Sequence, residues 1–252
     1  MRAGGIALAI LCAAPLAGAG AAGACLDREA WGRVLSAHTA QVKDVAGVRV
    51  DYAALRHSAD WSRVLASLVA CRPEELRTRK QRLAFWIDAY NALAIDVVVR
   101  HYPLKSIRDV GSLLRPVWKR EAGTIGGRAY SLDEIEHAIL RPLGEPRIHA
   151  AIVCASLSCP PLRREPFHPD RLEAQLDDQL RAFLADPRKG ARLEGDTLWL
   201  SRIFDWFADD FAAAGGVLAF VRPHLPSEIR ERLPAAPRLR FLDYDWGLND
   251  LR

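Results

Sequence analysis

The 252-residue chain lacks several motifs, and each absence removes a class of function. No H-E-x-x-H or C-x-x-C spacing occurs, so the common zinc patterns do not apply. No glycine loop of the phosphate-binding kind is present: Gly123, Gly126 and Gly127 sit between short segments that read as a hairpin. No cofactor and no resident metal are therefore expected. The G-x-S-x-G elbow of serine hydrolases is missing too. No basic stripe with interleaved aromatics points to nucleic acid; 35 Lys and Arg are mixed with 31 Asp and Glu, for a net charge of +4. No apolar run reaches the roughly 20 residues that a membrane-spanning helix needs. Repeats, low-complexity tracts and dividing linkers are also lacking, so a single domain is expected.

What is present begins with a leader pattern. Arg2, an apolar stretch from Ile6 to Leu16 and an A-x-A site at Ala22-Gly23-Ala24 read as a signal peptide over residues 1–24. A periplasmic or secreted protein with one domain over 25–252 is expected. Cys25 would then be the first mature residue. A lipobox would place Leu where Ala22 stands, so acylation of Cys25 is the lesser alternative. Loss of Cys12 with the leader leaves Cys25, Cys71, Cys154 and Cys159, an even number suited to disulfides in an oxidising compartment. Three pairings are open.

Half of the residues are hydrophobic, enough for a substantial core. Apolar spacing predicts helices over Ala30–Ala40, near Asp60–Cys71, and over Gln81–Tyr102. The last is apolar on most sides and carries Asp88 and Asn91 on one face, so both must hold a partner. Ser131 and Glu134 form a capping box for a helix to about Leu140, and Glu136 occupies a position in its apolar face. His137 is rotated away from that face. Arg147–Ala155 reads as a buried strand, with a helical turn as the alternative, and Ser156–Pro161 as a loop. Further helices are predicted over Pro169–Asp186, after Ser201, and near Gly216–Arg222 and Ser227–Leu233. Hairpins at Val117–Tyr130 and Ala191–Leu200 and a last strand at Leu239–Leu242 complete an α+β, helix-rich domain on a small antiparallel sheet built from hairpins.

Thiol chemistry needs a thiolate, a nearby imidazole and a group that orients the imidazole. Cys154, with His149 or His137 and with Glu136 or Asp88, supplies one of each. The opposing reading is structural: Cys154 and Cys159 close a small disulfide, and Glu136 and His149 are satisfied buried polar groups. A metal held by Cys154, Cys159, His149 and His168 is a third arrangement, of generic spacing. Trp86, Trp206 and Trp246 read as core rather than as a ligand platform.

Several motifs resemble those of the DUF547 family. They are L-A-F-W-I-D-A-Y-N-A-L at 83–93, Y-S-L-D-E-I-E-H at 130–137, and P-R-I-H through V-C-A-S-L-S-C-P at 146–160. L-S-R-I-F-D-W-F at 200–207 and Y-D-W at 244–246 are similar to its closing motifs, so the resemblance spans roughly 75–246. The family is one of unknown function. The resemblance implies a fold similar to papain-like and transglutaminase-like cysteine hydrolases and a Cys/His/acid site at Glu136, His137, His149 and Cys154. It also implies acyl transfer or amide hydrolysis, with a peptide or protein as the substrate class. Two departures stand out: Asp88 where many members have Asn, and Ala150 where many have Phe. On this reading Cys154 is the nucleophile, His149 the base with His137 in reserve, and Glu136 or Asp88 the orienting acid. The alternative is a non-catalytic binding or scaffolding domain with Cys154 in a disulfide.

Overall fold

The computed structural model describes residues 25–252; the expected leader, 1–24, lies outside the described residues. Helix α1 (Arg28–Ala37) opens where the Asp27 carboxylate accepts from Ala30 N at 2.9 Å. It ends before the predicted Ala40, because Thr39–Gln41 pairs as β1 with β2 (Val48–Val50) in an antiparallel ribbon. A strand needs a partner, and helical spacing does not reveal that a partner has come within reach. A short α2 (Tyr52–Leu55) leads to α3 (Ala59–Ala70), capped by Ser58. Cys71, just past α3, is joined by a disulfide to Cys25.

Helix α4 (Arg79–His101) is the centre of the larger core, buried from Leu83 to Val99. Asp88 and Asn91 do hold partners, and the partners are structural. Asp88 accepts from Trp31 Nε1 and from Phe167 N, both at 3.0 Å. Asn91 donates to Ala151 O at 3.0 Å and accepts from Val153 N at 2.7 Å, which fixes the backbone that leads into Cys154.

Strands β3 (Glu121–Ile125) and β4 (Arg128–Ser131) form the first predicted hairpin. Its turn residues Gly126 and Gly127 have φ of 58° and 77°, which requires glycine in a two-residue turn of this hand. Ser131 Oγ then caps α5 (Leu132–Glu134), accepting from Glu134 N at 3.1 Å. The helix does not continue regularly: Ile135–Leu140 is π-helical, a widened turn frequently found at functional sites. The segment expected to be a buried strand is instead a 3-10 turn, Pro146–Ala150, followed by irregular chain. Pro146 has no N–H for a ladder and suits the first turn of a helix.

Helix α6 (Leu172–Leu184) joins both cores. Strands β5 (Ala191–Glu194) and β6 (Thr197–Leu200) form the second hairpin. Next come α7 (Ile203–Trp206), a 3-10 stretch (Ala208–Ala214), α8 (Val217–Val221) and α9 (Ser227–Arg232). They pack around Phe183, Phe204 and Phe211 in a second, smaller core. Strand β7 (Arg238–Phe241) lies parallel to β6. The class is α+β as expected, with two corrections: the strands form three separate small sheets, and one pairing is parallel. No helix of the described residues is long and apolar enough to cross a membrane.

The C-terminal segment returns across the molecule to hold the cysteine loop. Asn249 N donates to Ala155 O at 3.0 Å, Leu157 N to Gly247 O at 2.8 Å, and Asp245 N to Ser158 Oγ at 2.9 Å. Tyr52 Oη, fully buried, donates to Asn249 Oδ1 at 2.6 Å. Tyr52→Phe is expected to lower stability by about 1 kcal/mol, read by urea denaturation, because it leaves a buried acceptor unmatched.

Candidate functional site

One cavity, of about 190 Å³, opens between the two cores and contains four of the five expected site residues: Glu136, His137, His149 and Cys154. A space of this size holds a group comparable to benzene. Asp88 is not among its lining residues; it faces Trp31 and Phe167 as described, so it cannot orient an imidazole here.

Cys154 and Cys159 are joined in a disulfide that forms part of the cavity wall. The bond is the one on which the structural reading depended. The Tyr244 hydroxyl lies 3.2 Å from each sulfur, and Ser156 Oγ donates toward Tyr244 Oη over 3.0 Å. No histidine nitrogen is hydrogen-bonded to Cys154 Sγ among the described residues. Between the sulfurs, Ala155 has φ 61°, a left-handed conformation unfavourable for a residue with a Cβ. The bonds from Asn249, Gly247 and Asp245 hold the loop in that shape. The second disulfide joins Cys25 to Cys71, away from the cavity.

The imidazole of His149 is buried and stacked on Phe207, with ring centroids 4.0 Å apart and planes inclined by 20°. Its Nε2 lies 2.7 Å from Asp210 Oδ2. Asp210 also accepts two bonds from Arg141, each at 2.7 Å, and that guanidinium holds its carboxyl below the usual range. An ionised Asp210 can only accept, so Nε2 carries the proton and Nδ1 presents a lone pair. Burial lowers the His149 pKa to about 4, against the opposing pull of Asp210. Nδ1 has no hydrogen-bond partner; Glu136 Oε1 lies 3.7 Å away.

Glu136 projects from the π-helical turn into the cavity. Burial raises its pKa to about 7; the charge of Arg141 opposes the shift and that of Asp133 adds to it. His137, the reserve base, is half exposed and engaged elsewhere, with Nδ1 2.9 Å from Arg141 Nη1. A chain of groups thus runs from Arg141 through Asp210 and His149 to Glu136, and Glu136 is its end at the cavity.

This arrangement makes stability depend on pH. Glu136 is protonated in both states below about 4.5 and ionised in both above about 7; in between, the folded state keeps a proton that the unfolded state has lost. A raised carboxyl pKa therefore contributes stability at low pH that is lost as pH rises from about 4.5 to about 7. His149, whose pKa burial lowers to about 4, contributes in the opposite direction over much of that window, so the readout is the difference in urea stability between Glu136→Gln, which stays neutral, and the parent; it is expected to grow in the variant's favour as pH rises from about 4.5 to about 7. The variant should gain on the order of 2 kcal/mol relative to the parent at pH 8.

Sequence reasoning missed the aromatic wall. Trp206 is 47% exposed and lines the cavity with Trp118, Tyr244 and Trp246. Ring centroids are 4.8 Å apart for Trp206 and Tyr244, 4.5 Å for Tyr244 and Trp246, and 5.8 Å for Trp118 and Trp246. Of the three tryptophans read as core, only Trp86 is buried there. Asp210 and Arg141 were missed as well. Among the described residues no three His, Cys, Asp or Glu side chains are arranged to hold a metal ion, and His168 does not line the cavity.

Comparison with known proteins gives one match. Residues 73–184 match the sequence model of the family described as "Protein of unknown function, DUF547". The matched span contains Glu136, His137, His149, Cys154 and Cys159 and stops short of Trp206, Asp210, Tyr244 and Trp246. No curated protein and no solved structure matches the chain.

Proposed function

From the premise that residues 73–184 belong to the DUF547 family, we propose that the chain is a binding domain whose cleft takes a ligand through a positively charged group, such as an alkylammonium. The observation that carries this reading is the composition of the cavity wall. Six aromatic side chains, Tyr90, Trp118, Trp206, Phe207, Tyr244 and Trp246, line the space together with two carboxyl-bearing residues, Asp133 and Glu136, and no Lys or Arg does. Indole and phenol faces carry the negative part of the ring quadrupole and attract cations. A carboxylate below them completes the charge match, and the enclosed position strengthens it. Arg141, the nearest guanidinium to Glu136 in this chain of groups, is committed to Asp210.

The disulfide supports binding rather than nucleophilic chemistry. A sulfur bonded to sulfur has no thiolate to attack with. The reading includes export, since disulfides persist in oxidising compartments. A second reading retains support from the Asp210–His149 bond, which orients an imidazole as a hydrolase would: after reduction, Cys154 becomes a thiol in the same cavity, and acyl transfer or amide hydrolysis on a peptide follows.

The test is calorimetric titration of the oxidised protein with n-butylammonium, n-butanol and butyrate at pH 8. Ammonium recognition requires the cation to bind at least tenfold tighter than the alcohol and the anion to bind weakest. Equal affinity for cation and alcohol would refute it.

A further inference from the structure

Leu113 and Leu114 are 98% and 96% exposed, the most exposed large hydrophobic residues among those described. They do not dangle from a loose strand of chain. Ser112 N donates to Arg115 O at 3.0 Å and Arg115 N to Ser112 Oγ at 3.1 Å, which closes a turn with both leucines at its tip. The base of the loop is anchored by Ile107 and Val117, both buried. At its neck, a Cβ on Gly111 would clash with Val117 N, so the two arms pass in backbone contact. A built turn that presents two adjacent leucines to water is unfavourable unless something covers them.

The surrounding charge identifies the cover. Lys105, Arg108, Arg115, Lys119 and Arg120 are all exposed. Among the described residues none of them forms an ion pair, whereas Arg33, Arg49, Arg63, Arg141 and Arg147 elsewhere each have a carboxylate partner. Two nearby acids are used locally: Asp109 accepts from Lys105 N and Ser106 N at 3.1 and 3.0 Å, and Asp245 accepts from Gly247 N at 2.8 Å. Trp118 and Trp246 stand beside the loop, with the Arg108 guanidinium 5.2 Å from the Trp246 ring centre. Apolar tip, ring of cations and flanking indoles are the three components of an interfacial membrane contact: side chains that enter the acyl boundary, charges that meet lipid phosphates, and rings at headgroup level.

We propose that the Ser112–Arg115 turn docks this protein on an anionic lipid bilayer, with Leu113 and Leu114 inserted below the headgroups and the five cations on the phosphates. Because Trp118 and Trp246 border both this loop and the aromatic cleft, docking turns the cleft mouth toward the lipid surface. An acidic protein would satisfy the cations equally and is the rival occupant. The leucines favour lipid, since they have no charge to offer.

The test is flotation of the purified protein with vesicles of mixed phosphatidylglycerol and phosphatidylcholine, and with phosphatidylcholine alone. Binding to the mixed vesicles is expected, weakened by salt and absent on the neutral ones. Leu113→Ser with Leu114→Ser should reduce partitioning on the order of tenfold for each leucine. Arg115→Gln with Lys119→Gln should reduce it about fivefold per charge and blunt the salt response. All four positions are exposed, and circular dichroism confirms that each variant is folded. No binding to the mixed vesicles, or binding unaffected by the leucine substitutions, would overturn the proposal. So would equally tight binding of soluble polyglutamate that ignores the leucines, which would assign the surface to an acidic polymer.

Discussion

Replacing Cys25 and Cys71 together with serine is expected to lower stability by about 4 kcal/mol, read as a fall in the urea midpoint. The bond closes a chain segment with a sequence separation of 46, and cross-linking of that length removes this much loop entropy from the unfolded ensemble. Both cysteines are buried, and the bond ties the start of α1 to the end of α3, two helices that pack against each other through Trp31 and Trp61. The same relation gives only about 2 kcal/mol for Cys154–Cys159, whose separation is 5. Loss of Cys25–Cys71 is therefore expected to cost more than loss of Cys154–Cys159. If the distal bond proved the less important, the cysteine loop would have to be holding much more of the fold than its contacts suggest. The denaturant slope should also rise for the Cys25/Cys71 variant, because its unfolded chain is free to expand.

The second large effect concerns Glu136. In n-butylammonium titrations, Glu136→Gln is expected to weaken binding about a hundredfold, equivalent to roughly 3 kcal/mol. The neutral amide keeps the size and hydrogen-bonding capacity of the side chain and removes only the charge. The parent protein should reproduce the same loss by acidification. With a pKa of about 7, Glu136 is protonated progressively as pH falls from 8 to 5, and affinity should decline by up to tenfold per pH unit below 7. His149, with a pKa of about 4, remains neutral throughout and adds no competing cation. The Gln variant should show no such slope. Trp206→Ala should weaken binding several-fold without changing the pH dependence, since a ring face contributes attraction and no proton. A Glu136→Gln variant that loses affinity yet keeps the slope would locate the titrating group elsewhere.

Much of this site was legible in the sequence, and the remainder was hidden for identifiable reasons. The α4 stripe could be read because its period is local, and Glu136 stood out because a carboxyl occupied one position of an apolar helical face. The demand of Asp88 and Asn91 for partners was also readable. That those partners are an indole and backbone groups was not, because Phe167 and Val153 lie far along the chain. The 147–155 run reads as a buried strand or a helical turn, because a short apolar segment looks alike in both. The parallel pairing of β6 with β7 spans the intervening α7–α9 region, and local pattern carries no record of it. Asp210 sits in an ordinary A-D-D sequence; only the fold brings it to His149. Tryptophan usually marks core, so the open face of Trp206 had no signature. Four cysteines allow three pairings, and spacing does not choose among them.

Whether the sulfur of Cys154 is bonded or free decides between ligand binding and thiol chemistry. The direct measurement is treatment of the purified protein with iodoacetamide near neutral pH without reductant, followed by peptide mapping by mass spectrometry. The expected result is no label on Cys154 or Cys159, a single cross-linked peptide containing both, and labelling of each only after reduction. Rapid, selective alkylation of Cys154 in the untreated protein would contradict the binding-domain reading and return Cys154, His149 and Asp210 to the roles of a thiol hydrolase.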